Sequence, residues 1–223
     1  MERITAVIFD LDGTLLNTLH DIAACCNEAL SVAGLPKIRE DAVQRFVGNG
    51  ISKLMERAVG NADSIAYQTA VRAMREFYAD HGNKFTRPYN GIEALLAELT
   101  RRSIKIAVVS NKPDAQVKYL CKTFFEKIIP NEAAIGENEA LGIKKKPSPD
   151  SVFTAMKLLG SDKNTTIYVG DSDVDIETAQ NAGIPCISVS WGFRSRNFLL
   201  EHGASKIIDN PLDLLETLTY NKS

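Results

Sequence analysis

Asp10 and Asp12 stand two positions apart in Asp10-Leu11-Asp12-Gly13-Thr14-Leu15, directly after the apolar run Ile4-Thr5-Ala6-Val7-Ile8-Phe9. A β-branched apolar run of that length reads as a buried strand. Both carboxylates therefore fall where a strand gives way to a Gly-containing loop. In an open parallel sheet that carboxyl edge is where ligands bind. Two acids this close do not both ionise comfortably without a cation or a shared proton. The pair asks for a metal, a proton-transfer role, or both. Asp-x-Asp-Gly is also an ordinary turn sequence, with Asp bonding its own backbone and Gly at positive φ. A second acidic cluster weighs against the turn alone: Thr166-Ile167-Tyr168-Val169 leads into Gly170-Asp171-Ser172-Asp173-Val174-Asp175.

Two further segments carry candidate chemistry. Val108-Val109 is followed by Ser110-Asn111-Lys112, a hydroxyl and an amide at a strand end beside a helix N-terminus. That is a good oxyanion or phosphate site, or simply a helix N-cap. Lys146 precedes Pro147, Ser148 and Pro149, which places it on a stiff extended segment rather than a helix face. Two unit charges about 4 Å apart interact by roughly 4 kcal/mol at an effective dielectric near 20. A cleft holding Asp10, Asp12, Asp171 and Asp175 thus needs cations, and one Lys with one Mg2+ would offset much of the repulsion. Mg2+ takes oxygen ligands, usually one or two carboxylates with substrate phosphate and water. No His/Cys set suits zinc: His20, His81 and His202 fall in helices or at helix ends.

The elements that must position these groups alternate from about residue 86 onward. Helices are expected over Gly91–Arg102, Pro113–Phe125, Pro149–Leu159, Asp173–Ala182 (closed by Gly183), Arg194–Glu201 and Pro211–Leu218. Strands are expected over Ile104–Val109, Lys127–Pro130, Thr166–Val169, Pro185–Ser190 and Lys206–Ile208. Alternation of this kind implies right-handed crossovers and a parallel sheet. Residues 17–84 read as helices alone: about Thr18–Ala33, Glu40–Val47, Ile51–Ala58 and Ala62–Gly82. The expected fold is α/β, a Rossmann-like parallel sheet core (1–16 and 85–223) with an inserted all-helical cap (17–84). The cap would sit over the sheet's carboxyl edge, because the chain leaves from there and returns there.

Bulk composition excludes several classes. The 223 residues are 44% hydrophobic and 24% charged with net charge −2, which suits a folded protein of one or two domains. Lys144-Lys145-Lys146 is too short a basic run to indicate nucleic-acid binding. No apolar run approaches the roughly 20 residues that span a bilayer, and Met1-Glu2-Arg3 carries no secretory pattern. Cys25, Cys26, Cys121 and Cys186 lack metal-ligand spacing and fit a reduced compartment. A soluble cytoplasmic protein, monomer or homodimer, without nucleic-acid or membrane partners is expected.

In this order, DLDGTL, VVSNK, KKPSPD and GDSDVD resemble the four motifs of the haloacid dehalogenase-like phosphatases. The resemblance implies that Asp10 attacks phosphorus to form an aspartyl-phosphate. It implies that Asp12 protonates the leaving oxygen and then activates water, its backbone carbonyl also binding Mg2+. Ser110 would hold the phosphoryl oxygens with Asn111 alongside, and Lys146 would neutralise nucleophile and phosphoryl group. Asp171 would complete the Mg2+ site, with Asp175 behind it or orienting Lys146. Dehalogenases of the family lack the second Asp, so Asp12 points to phosphate esters. Helical-cap sugar phosphomutases of the family place a His twelve residues after the nucleophile, where this chain has Ile22.

The cap segment from Phe46 to Ala58 resembles that of bacterial phosphoglycolate phosphatases, as do Tyr78–Gly91 and Val189-Ser190-Trp191-Gly192-Phe193. Gly48 and Gly50 around Asn49 would let backbone N–H groups approach a small anion, or form a plain helix–helix turn. Lys53 or Arg57 would hold a substrate carboxylate. The expected activity is hydrolysis of a small phosphorylated metabolite, 2-phosphoglycolate first. Pyrophosphate or nucleotides are the alternative, since relatives with similar caps hydrolyse them, and a β-phosphoglucomutase-like reaction comes behind both.

Overall fold

Strand β1 (Ala6–Phe9) is buried at every position and lies inside a parallel sheet. On one side of it stand β4 (Lys105–Pro113) and then β5 (Ala134–Glu137). On the other stand β6 (Thr166–Gly170), β7 (Cys186–Val189) and β8 (Ile207–Ile208). Phe9 is level with Val108 and with Val169, so Asp10, Ser110 and Asp171 all emerge at one edge. The computed structural model describes residues 3–81, 83–138 and 142–218.

Side chains alternate across this sheet, and each face buries its own cluster. Val7, Phe9, Ile106 and Val108 meet Ile92, Leu95, Leu96 and Leu99 of α5 (Ile92–Arg101) and Val117, Leu120 and Phe125 of α6 (Asp114–Phe125). Leu214 of α10 (Asp213–Thr217) joins the same face. Ala6, Ile8, Ala107 and Val109 meet Val152, Ala155 and Met156 of α7 (Asp150–Leu159) and Ala179 and Ala182 of α8 (Asp173–Ala182). The helical spacing of Ile92, Leu95, Leu96 and Leu99 makes that face, and full burial of each such side chain stabilises by about 1.5–3 kcal/mol. The doubly covered parallel sheet is the α/β, Rossmann-like arrangement expected from the alternation.

One expected strand is displaced. Lys127–Pro130 forms a turn, with the N–H groups of Ile128 and Ile129 both donating to Phe125 O. Its apolar residues are core anchors rather than ladder members: Ile129 is buried against the α5–α6 face. Pro130 has no N–H to give a ladder. The strand forms instead over Ala134–Glu137, pairing Ala134 with Val108 and Ile135 with Val109. Lys146 also departs from the extended segment expected: it lies in a turn closed by Ser148 N–H to Lys145 O, and its bond to Pro147 is cis.

By compactness the chain divides into Met1–Leu16 with Pro88–Ser223, and Asn17–Arg87. The chain passes between the two units through β2 (Leu16–Asn17) and β3 (Arg87–Pro88), which pair as a short ribbon. The second unit is helical, built from α1 (Leu19–Val32), α2 (Glu40–Phe46), α3 (Ile51–Val59) and α4 (Ile65–His81). Gly82, the expected end of the last helix, lies outside the described residues. Ile22, Cys26, Leu30, Leu54, Met55 and Met74 form its core. Buried Asp21 fastens the segment just ahead of β3: its carboxylate accepts from Phe85 N (2.9 Å), Thr86 N (2.7 Å) and Thr86 Oγ1 (2.7 Å). His20 pairs at the surface with Glu40 Oε2, 2.9 Å away. The four cysteines are free thiols. Among the described residues no helix is long and apolar enough to cross a membrane.

Candidate active site

Asp10 continues β1, its N–H donating to Val169 O at 2.9 Å. The loop after it is pinned by buried Leu11 and Leu15, with Leu11 O accepting from Thr14, Leu15 and Leu16. This pinning fixes Asp10 and Asp12 on a short tight turn. Gly13 sits at φ +89, and a Cβ there would lie 2.3 Å from Asp171 Oδ2. Glycine at that point is what lets the first acidic loop close on the second.

Asp171 follows β6 and is 2% exposed. Its Oδ2 accepts from Phe193 N at 2.6 Å, and its Oδ1 from Thr14 Oγ1 at 3.4 Å. The loop after β7 reaches the same spot, with Trp191 Nε1 donating to Thr14 O at 3.0 Å. Asp175 lies in the first turn of α8 and folds back to accept Ser172 Oγ at 2.6 Å and Ser172 N at 3.1 Å on Oδ2, forming a capping box.

Lys146 is the charge at the centre, its side chain 4% exposed. Its ammonium donates to Asp10 Oδ1 (2.7 Å), Asp175 Oδ1 (2.7 Å) and Tyr168 Oη (3.1 Å). The Tyr168 hydroxyl also lies 3.1 Å from Asp175 Oδ1 and 3.3 Å from Val109 O. Asn111 secures the Lys146 backbone as a strand would: its Oδ1 accepts from Lys146 N at 2.8 Å and its Nδ2 donates to Lys146 O at 3.0 Å. The Ser110 hydroxyl accepts from Lys112 N at 3.3 Å.

β4 and β5 slip register between Val109 and Pro113. Such bulges re-aim side chains beside active sites. Here Lys112 is turned onto Asp12, its Nζ 2.7 and 2.8 Å from the two carboxylate oxygens.

Burial leaves the acids under-compensated. Asp10 is pushed from 3.8 up to about 7 by burial, against the charge of Lys146 and with the help of Asp175 and Asp12. Burial, with Asp175 and Asp10, raises Asp171 well above the carboxylate range. Burial alone would lower Lys146, but Asp10 and Asp175 hold it well above its ordinary value. Ligand oxygens of Asp10, Asp171 and Asp175 lie within 4.8 Å of one another. Asp175 has both oxygens in short bonds, to Lys146 at 2.7 Å and to Ser172 Oγ at 2.6 Å, whereas Asp10 is engaged through Oδ1 alone and Asp171 Oδ1 only by the 3.4 Å contact from Thr14, so Asp10 and Asp171 are the better placed pair to hold an ion. An all-oxygen donor set with excess buried negative charge fits a hard divalent cation.

Asp10, Ser110, Asn111, Lys146, Asp171 and Asp175 thus come from four chain segments to one edge, with Asp12 beside them on Lys112. Gly48, Asn49, Gly50, Lys53 and Arg57 belong to the helical unit. There Gly48 and Gly50 take φ +125 and +82. Arg57 donates to Phe46 O (2.7 Å) and Asn49 Oδ1 (2.9 Å), and Lys53 pairs with Glu56 at 2.6 Å. Sequence reasoning missed Lys112, Tyr168, Thr14 and the backbone of Phe193. A tyrosine within an apolar strand was a usable signal, since its hydroxyl must find a partner when buried. Lys112 at a strand end was another.

A family profile described as haloacid dehalogenase-like hydrolase matches residues 7–189. The chain is 32% identical to a phosphoglycolate phosphatase of Neisseria meningitidis, over all of this chain and 97% of that one. It is 31% identical to a phosphoglycolate phosphatase of Aquifex aeolicus, over 86% of this chain and 87% of the other. A solved structure of a candidate phosphoglycolate phosphatase from Lactobacillus delbrueckii subsp. bulgaricus superposes with a TM-score of 0.90 at 32% identity, covering 97% of this chain and 99% of that one.

Proposed function

The chain belongs to the haloacid dehalogenase-like hydrolases, and on that ground we propose that it is a Mg2+-dependent phosphatase of 2-phosphoglycolate working through an aspartyl-phosphate. That it is a phosphoric monoester hydrolase follows from its relatives. The observation that carries the finer reading is the Lys146 ammonium held at 2.7 Å from both Asp10 and Asp175.

In this reading Asp10 attacks phosphorus. The new carboxylate O–P bond forms as the bond from phosphorus to the ester oxygen breaks, and a proton from Asp12 goes to the departing oxygen. Asp12 then takes a proton from water as that water attacks the aspartyl-phosphate, releasing phosphate and restoring Asp10. The sum is ester plus water to alcohol plus phosphate. Splitting the hydrolysis in two lowers each barrier. Lys146 offsets charge on Asp10 and on the transferring group, and the Ser110 hydroxyl donates to a phosphoryl oxygen. Mg2+, held by Asp10, the Asp12 carbonyl and Asp171, would supply charge neutralisation and alignment of the phosphoryl oxygens. Asp175 and Asn111 keep Lys146 aimed.

For the substrate, support comes from relatives of that name at about 30% identity. The Gly48-Asn49-Gly50 turn, which Arg57 fastens, is the proposed reader of the small acidic leaving group, with Lys53 beside it. The test is steady-state hydrolysis with Mg2+ of phosphoglycolate, pyrophosphate, nucleoside monophosphates and hexose phosphates. A clear kcat/KM lead for phosphoglycolate supports the assignment. A lead for pyrophosphate or a nucleotide keeps the chemistry and replaces the substrate. D10N should remove turnover while the far-ultraviolet circular dichroism stays that of the wild type, and activity near wild type would sink the nucleophile.

A further inference from the structure

We infer that Lys112 is a positioning residue for Asp12 and sets how efficiently the leaving oxygen is protonated. Lys112 lies 100 positions from Asp12 and its side chain is 2% exposed. A buried ammonium is retained only where it is paired. The pairing is symmetric: both Asp12 oxygens lie within 2.8 Å of Nζ. No other group among the described residues hydrogen-bonds the Asp12 carboxylate, so its rotamer and its aim follow from Lys112. The Asp10 side chain, by contrast, is aimed by Lys146. The two acids, only two positions apart, are thereby held by two different cations, Lys146 from the turn ahead of α7 and Lys112 from the end of β4. The β4 bulge between Val109 and Pro113 is what brings the second cation there.

This assignment separates the roles of two lysines. Lys146 serves the bond being made to phosphorus, and Lys112 serves the proton delivered to the bond being broken. It rests on the reading of Asp12 as the acid and base. Its consequence is chemical: a misaimed Asp12 hurts most when the departing oxygen is a strong base. A nitrophenolate departs without a proton, while an alkoxide needs one. General acid catalysis is worth about 10^2–10^4, and positioning controls how much of it is realised.

The experiment compares kcat/KM, which covers the steps through departure of the alcohol, for p-nitrophenyl phosphate, phenyl phosphate and phosphoglycolate. Wild type, D12N and K112M are measured with saturating Mg2+. For K112M the expected loss is about tenfold or more on phosphoglycolate and about threefold or less on p-nitrophenyl phosphate, with KM little moved. D12N should show the same order of losses across the series with a steeper slope. A uniform loss across the series for K112M, no loss, or a gain on phosphoglycolate would overturn the inference while a steep D12N series leaves the acid role of Asp12 standing. A flat D12N series would overturn the reading of Asp12 itself. K112Q keeps a donor without the charge and is read by the same outcomes if K112M does not fold.

Discussion

The Tyr168 hydroxyl lies 3.1 Å from the Lys146 ammonium. With Asp10 and Asp175 each at 2.7 Å, that contact gives every ammonium hydrogen an acceptor. A lysine so saturated has one orientation. The ring beneath it belongs to the α7–α8 face of the sheet core, so the aim of this buried charge is set by core packing.

Y168F should keep the fold, since the ring volume is unchanged, and leave one buried ammonium hydrogen unmatched. An unmet buried group of this kind costs about 1–3 kcal/mol. The expected result is a lower melting temperature together with a kcat loss of about tenfold. A kcat within twofold of wild type would refute the role given to Tyr168.

The second prediction concerns pH. Asp10 has its ordinary value of 3.8 in the unfolded chain and about 7 in the fold, through burial first, opposed by Lys146 and aided by Asp175 and Asp12. Between those values the folded state binds more protons, so stability falls as pH rises. Asp171, raised in the same direction, adds to the fall. Metal-free D10N should therefore melt above metal-free wild type, by a margin that grows from about pH 4 to about pH 7 and levels off beyond. Mg2+ should close the gap. Thermal melts across pH with and without the ion decide this, and a margin that shrinks with rising pH would contradict it.

A third concerns Gly192. A Cβ there would lie 2.3 Å from Asp171 Cβ and 2.4 Å from Gly13 O. Backbone on one side and a confined carboxylate on the other leave nothing free to yield. G192A should displace Asp171 and weaken Mg2+ binding by about tenfold or more, in line with losses on disturbing the surroundings of a metal ligand. Calorimetric titration measures it, and wild-type affinity would show that Asp171 does not hold the ion.

The fourth lies in the helical unit. D21A removes the acceptor for Phe85 N, Thr86 N and Thr86 Oγ1. The amides of residues 85 and 86 should exchange hydrogen about 10- to 100-fold faster, from a loss of roughly 1–3 kcal/mol per buried donor left unmet. Unchanged exchange at both would rule out Asp21 as the fastener of this segment.

Much of the site was legible because its acids follow apolar runs. Asp10 and Asp171 could be placed at strand ends from Ile4–Phe9 and Thr166–Val169 alone. The helix over Asp173–Ala182 with Gly183 beyond it is as read, since a capping acid and a left-handed glycine are local signals. What failed was governed by distant partners. Ile128 and Ile129 look like a strand until the α5–α6 face claims Ile129. Ala134–Glu137 looks unremarkable until Val108 and Val109 pair with it. Lys112 is one of many lysines until a register slip turns it onto Asp12. The carboxamide of Asn111, read as a phosphate ligand or an N-cap, is engaged with the backbone of Lys146, 35 positions on.

The tie between Trp191 and Thr14 spans 177 positions. A ribosome delivers the Asp10–Leu15 loop long before the tryptophan that anchors it. Domains fold largely as units during synthesis, N-terminal end first, and contacts of such long range form slowly. A nascent chain halted short of Trp191 would carry both aspartates of the first loop without the anchor that holds Thr14 or the Phe193 amide that holds Asp171. Interrupted translation would then leave the two acidic loops without the later segment that ties them in place.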